Sequence, residues 1–274
     1  MKNILEEGDT VLDAAARERL LLVFDFDGTL APIVSDPARA AMRRSTRTLL
    51  RVASLLFPCA VVSGRSRADL LTRLERIPLF AVVGNYGAEA GFGPVMRTLR
   101  EDVAAWKQTM EARARAIPGV TIEDKGLSIA IHYRNAASRP AARRALQEAA
   151  AALPGARVFA GRAVVNVVPA GTHDKGAAVE QLLARSGRRR ALYVGDGIAD
   201  ETAFRTRGVA VGVRVGRTHR SAAEYYLPAQ AGVDGLLRTL VRSRRRQDGL
   251  DGDVHGLETL IDGVMAEPVP VEAR

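Results

Sequence analysis

Short apolar runs recur along this chain, each closed by a turn or a polar residue, with amphipathic stretches between them. Leu21–Phe24 and Cys59–Val62, and then 80–83, read as buried strands; 45–56 and 68–74 read as the helices that follow the first two. Farther on, residues 177–185 and 201–207 have helical spacing around the apolar strands 191–194 and 209–213. A helical lead-in covers 11–20. Strands alternating with helices imply an α/β fold, a Rossmann-like parallel sheet with helices on both faces.

The texture changes between about residues 97 and 170. A helix over 101–116 precedes 120–123, a turn at Lys125-Gly126, and 127–133 with partial alternation. A helix over 140–153 and short strands at 157–159 and 163–168 follow. This predicts a small antiparallel sheet with two helices, an inserted α+β cap able to close over the main site. The expected division is therefore a core of 1–96 and 171–241, a cap of 97–170, and a tail of 242–274. The tail is charged and patternless apart from a short helical stretch at 257–265, and it reads as flexible.

Composition narrows the function. No apolar stretch approaches the length of a membrane span, the N-terminus lacks a signal-peptide pattern, and the lone Cys59 permits no intrachain disulfide. A cytoplasmic protein without membrane partners is the expectation. The net charge of +9 raises a nucleic-acid reading, but aromatic residues are only 5% and interleave with no basic stretch, as a stacking platform would require. Scattered, solvated arginines leave a small anionic substrate as the compatible partner.

The chemistry concentrates where the first strand runs into Asp25-Phe26-Asp27-Gly28-Thr29. Two carboxylates delivered at alternate positions by a buried strand repel each other and resist desolvation, so a cation belongs between them. A magnesium ion with a phosphate group meets that need. An open parallel sheet binds ligands at the carboxyl ends of its strands. Ser63 and Gly195-Asp196 stand at such ends, with Asp200 near the next helix and Lys175 at a helix head. Helix caps account for Ser63 or Asp200 singly, but not for the whole ordered set. Asp25 is placed to attack phosphorus; Asp27 can protonate the leaving oxygen and later deprotonate water.

These motifs resemble the four-motif set of the haloacid dehalogenase superfamily phosphatases, and the finer pattern is similar to the trehalose-6-phosphate phosphatases. The finer match rests on Phe57-Pro58 leading to Val62-Ser63-Gly64-Arg65 and on Glu123-Asp124-Lys125-Gly126 leading to Ile131-His132-Tyr133-Arg134. It also includes the 164–169 stretch, Asp174-Lys175-Gly176, Gly195-Asp196 and Asp200-Glu201. The resemblance implies a magnesium-dependent phosphatase whose ion is held by Asp25, the Asp27 carbonyl and Asp196, supported by Asp200. It implies phosphate binding by Gly28, Ser63, Gly64 and Lys175. It implies sugar recognition by Arg65, Asn85, Tyr86, Glu123, Lys125, His132, Arg134 and Asn166. Structural roles remain open for His132 and Arg134, and solvated ones for Glu123 and Lys125.

Three positions depart from the family pattern: Asn166 replaces a sugar-binding Glu, Tyr86 a His, and Gly197 the second Asp of the Gly-Asp-Asp motif. The first two fall on the sugar side. The expected substrate is trehalose 6-phosphate. The alternatives are a trehalose-like pseudo-disaccharide phosphate such as validoxylamine A 7'-phosphate, a glycosyl phosphoglycerate, or a non-catalytic regulatory domain that binds sugar phosphate.

Overall fold

The computed structural model of the chain describes residues 1–90, 95–161 and 163–249. Its first elements are β1 (Lys2–Asn3), α1 (Gly8–Arg17), β2 (Leu21–Phe24), α2 (Arg44–Leu56), β3 (Cys59–Val62), α3 (Arg67–Arg73) and β4 (Ala81–Val83). Then come α4 (Val95–Ala114), β5 (Thr121–Asp124), β6 (Ile129–His132), α5 (Arg139–Ala151), β7 (Ala156–Gly161) and β8 (Val164–Pro169). The chain continues with α6 (Lys175–Ser186), β9 (Ala191–Gly195), α7 (Glu201–Phe204), β10 (Val209–Val215), β11 (Tyr225–Leu227) and α8 (Gly232–Gln247).

Seven strands form one parallel sheet in the order β1-β11-β10-β9-β2-β3-β4. Side-chain alternation divides its core in two. Leu22 and Phe24 of β2 pack with Leu12 of α1, Leu49 and Leu50 of α2 and Leu236 and Leu240 of α8. Leu21 and Val23 pack on the opposite side, with Val179 and Leu182 of α6 and Phe204 of α7. The strands are therefore apolar throughout because both faces are covered, as a parallel sheet requires.

The remaining four strands form an antiparallel sheet, β5-β6-β8-β7. Ile129 and Ile131 of β6 and Val165 and Val167 of β8 face Trp106 and Met110 of α4 and Leu146 of α5. The alternate residues, Ala130, His132, Val164 and Asn166, face a cleft shared with the large sheet. Period-two alternation thus covers one face of this sheet with helices and turns the other toward the strand ends of the core.

The C-terminal expectation needs correction. The chain remains helical to Gln247, and Ser243 and Arg244, assigned above to a flexible tail, are buried. Val233, Leu236, Leu237, Leu240, Val241 and Arg244 form one buried stripe of α8 at helical spacing, and α8 packs on α1 and α2. The anticipated helix at 257–265 lies outside the described residues. Strand β11 was unanticipated because it is only three residues long; it joins β10 to β1. No helix among the described residues is long and apolar enough to cross a membrane.

Candidate active site

Strands β3, β2 and β9 are neighbours, so Ser63, Asp25 and Asp196 emerge side by side at their carboxyl ends. The sheet order reverses around β2, the topological point at which α/β sheets open a crevice. Asp25 continues the ladder through its N–H to the Val194 carbonyl, at 2.9 Å. Its carboxylate lies 2.9 Å from the Lys175 ammonium, which also meets Asp200 at 2.7 Å. Lys175 reaches this depth because Asp174 caps α6 by accepting from the Ala177 N–H.

Oxygen atoms of Asp25, Asp196 and Asp200 lie within 4.8 Å of one another. Burial, reinforced by Asp200 and Asp196, outweighs Lys175 and pushes the Asp25 carboxyl up to about 8. Burial and Asp200 likewise push Asp196 up to about 6, against Lys175 and Arg214. Desolvation works against the Lys175 charge, but Asp200 and Asp25 overcome it and hold its pKa above the ordinary lysine value. One ammonium for three crowded carboxylates leaves negative charge uncompensated. Hard carboxylate oxygens at this spacing suit a small divalent cation.

Asp200 is the most heavily supported of the three. It accepts from Lys175, from the Tyr193 hydroxyl at 2.6 Å and from the Gly197 N–H at 2.7 Å. Arg214 braces the neighbouring loop, donating to the Asp196 carbonyl at 2.6 Å and the Gly197 carbonyl at 3.2 Å. Neither Tyr193 nor Arg214 stands out as a site residue from the sequence alone. Their signal was a polar tip and a charge inside otherwise apolar strands.

Asp27 turns toward Arg65. The guanidinium grips it with two bonds, of 2.7 and 2.8 Å, and also holds Asp69 at 2.8 Å and the Pro37 carbonyl at 2.8 Å. Arg65 is thereby committed to Asp27, although the sequence suggested phosphate or sugar as its partner. Gly28 also differs from expectation: its N–H is spent on the Ala31 carbonyl at 2.8 Å. What it contributes is clearance, because at its φ of +82° a Cβ would collide with the Asp196 carboxylate. Among the described residues, the N–H groups of Phe26 and Asp27, which follow Asp25 in the chain, have no protein acceptor.

Ser63 is buried, and its hydroxyl accepts from the Arg65 N–H at 3.3 Å. The Gly64 carbonyl takes the Lys125 ammonium at 3.1 Å. Glu123 pairs with His132 at 2.9 Å; burial opposes its charge, but His132 and Lys125 hold its carboxyl below the usual range. Arg134 reaches the Ser35 carbonyl at 3.3 Å. Tyr86 donates to Asn166 at 2.9 Å and meets Phe159 edge-on. Asp25, Asp27, Ser63, Gly64, Arg65, Tyr86, Glu123, Lys125, His132, Arg134, Asn166, Lys175, Asp196 and Asp200 line one cleft of about 1210 Å³. Asn85, expected among the substrate-binding residues, does not line it: its Nδ2 donates to the Lys125 carbonyl and its Oδ1 accepts from the Ser128 hydroxyl, both in the turn between β5 and β6.

The architecture is shared with solved phosphatases. The C-terminal domain of the Candida albicans trehalose-6-phosphate phosphatase superposes with a TM-score of 0.70 at 23% identity, covering 86% of this chain and 97% of that one. A haloacid dehalogenase subclass IIB sugar phosphatase gives a TM-score of 0.52 at 17% identity, covering 84% of this chain and 99% of its own. The chain thus has the fold of these phosphatases. The trehalose-phosphatase family profile matches residues 23–228. A trehalose 6-phosphate phosphatase of Zea mays is 30% identical over 281 aligned residues, covering 88% of this chain and 74% of the maize protein. The chain belongs to the trehalose-phosphatase family.

Proposed function

We propose that this chain hydrolyses trehalose 6-phosphate to trehalose and phosphate through an aspartyl-phosphate intermediate on Asp25. The observation that carries this reading is the Asp25 carboxylate at a strand end, 2.9 Å from Lys175 and open to a cleft with sugar-competent polar groups on its far wall.

In the first displacement an Asp25 oxygen bonds to phosphorus as the bond from phosphorus to the sugar oxygen breaks. Asp27 supplies the proton that the departing alkoxide needs. In the second, water attacks phosphorus, Asp27 takes its proton, and the bond from phosphorus to Asp25 breaks. Lys175 and Ser63 neutralise and orient the phosphoryl oxygens, and the N–H groups of Phe26 and Asp27, free of protein acceptors, are available as further donors. Asp25, the Asp27 carbonyl and Asp196 would hold magnesium, with Asp200 behind them. When bound, the ion supplies positive charge against the phosphoryl oxygens. Charge stabilisation of this kind serves both displacements, because negative charge spreads over the phosphoryl oxygens as the group is transferred.

The sheet of β5 to β8 serves as the cap in this reading. Glu123, Lys125, His132 and Asn166 present alternating donors and acceptors, which suit sugar hydroxyls. Acid quench of a single turnover with magnesium and trehalose 6-phosphate tests the chemistry. A phosphoryl adduct on the peptide containing Asp25 is expected; phosphate release without any adduct would replace the nucleophile with direct attack by water.

A further inference from the structure

Asn85 and Tyr86 follow β4 with φ of +49° and +59°, two successive non-glycine residues in the left-handed region. Each is a costly conformation for a side-chain-bearing residue, so surrounding contacts must hold the pair in place. Their N–H groups bond to the Arg65 and Ser63 carbonyls of the core, at 2.7 and 2.9 Å, and the Asn85 side chain adds contacts with the small sheet. Its Nδ2 donates to the Lys125 carbonyl at 3.1 Å, and its Oδ1 accepts from the Ser128 hydroxyl at 2.6 Å. Asn85 and Ser128 are each 1% exposed, and neither lines the cleft. Both partners belong to the turn between β5 and β6 that carries Lys125, whose ammonium returns to the Gly64 carbonyl.

A buried amide that reads one carbonyl and one hydroxyl on a facing hairpin fixes a single register for that hairpin. None of these atoms is offered to the cleft, so the hold is independent of what the cleft contains. We propose that Asn85 and Ser128 form a latch that seats the β5–β6 hairpin on the core. Both act as positioning residues for Lys125 and Glu123, rather than as ligands of the substrate. The proposal rests on the reading of the cleft as a sugar-phosphate site, and it adds a device that distinguishes large leaving groups from small ones. A disaccharide phosphate needs the seated hairpin, whereas an aryl phosphate needs only Asp25, Asp27, Lys175 and the ion.

Ser128→Ala removes one hydroxyl and leaves the left-handed backbone untouched. It should raise KM for trehalose 6-phosphate about fivefold, the value of one lost neutral hydrogen bond. Its kcat and KM for p-nitrophenyl phosphate should stay at wild-type values. Amide hydrogen exchange at 125–128 should quicken by a similar factor, with exchange in β2 and β3 unaltered. Asn85→Ala should show the same split more strongly. Should it fail to fold, Ser128→Ala with hydrogen exchange still decides. Parallel losses on both substrates, or unchanged exchange at the hairpin, would overturn the latch. A wild-type protein active on p-nitrophenyl phosphate but inert on trehalose 6-phosphate refutes the substrate assignment instead, and the exchange result still judges the latch.

Discussion

The Tyr86 hydroxyl donates to Oδ1 of Asn166 at 2.9 Å, joining the segment after β4 to β8, an inner strand of the small sheet. The two sugar-side departures from the family pattern are therefore one contact. A carboxylate at 166 would present two acceptors to the cleft. The amide, with Oδ1 taken by Tyr86, presents donors instead. The Tyr86 ring also leans on Phe159, with centroids 4.9 Å apart, and packs over Gly64, where any Cβ would collide with it.

Tyr86→Phe keeps the ring and frees the amide. The loss is one neutral hydrogen bond, about 1 kcal/mol. We expect kcat/KM for trehalose 6-phosphate to fall about fivefold, with p-nitrophenyl phosphate unaffected. Steady-state kinetics on both substrates checks this, and equal losses on the two would assign the hydroxyl a purely structural role.

Arg65 holds Asp27 through two parallel bonds while also meeting Asp69. Lysine carries the charge but cannot form that fork. Arg65→Lys should lower kcat about tenfold through a misplaced Asp27, part of the roughly 10²–10⁴-fold that a positioned acid–base group contributes. Circular dichroism should show the fold retained. A kcat within twofold of wild type would mean that Asp27 orients itself without help.

Asp196 fixes a pH dependence. Its folded pKa, about 6, lies above the usual value near 4. The stability it contributes is thus complete below the unfolded value and is lost as pH rises through about 6. Cation binding requires the ionised carboxylates, so the Tm gained on adding magnesium should grow with pH through that window and go on growing toward about 8, where Asp25 ionises. Melting curves with and without magnesium between pH 5 and 8 test this. A gain that is flat, or that shrinks with rising pH, contradicts the assignment.

Tyr193 is buried with its hydroxyl on Asp200, and burial, aided by that carboxylate, raises its pKa well above the ordinary tyrosine value. Tyr193→Phe strips one donor from a buried carboxylate, at a cost of about 1–3 kcal/mol. A lower Tm and weaker magnesium binding by calorimetry are expected together. A drop in Tm with unchanged affinity would limit Tyr193 to packing.

Much of this was legible because strand ends carry local signals. Asp25, Ser63 and Asp196 each close an apolar run, so the parallel sheet and its reactive edge follow from period and position alone. What depends on distant pairing was not legible. The partners of Asn85 lie on a hairpin some forty residues away, and the grip of Arg65 on Asp27 crosses from β3 to β2. Helix α8 is a different case. Its stripe from Val233 to Arg244 was present in the sequence, but two glycines and a run of arginines disguised it.

The most direct test is phosphate release with magnesium from trehalose 6-phosphate, glucose 6-phosphate, a glucosyl phosphoglycerate and validoxylamine A 7'-phosphate, with Asp25→Asn as the blank. The account predicts strong preference for trehalose 6-phosphate and no turnover by the variant. Wild-type release no better than the blank across the panel would contradict it, and preference for another substrate would make Tyr86 and Asn166 the switch in leaving group.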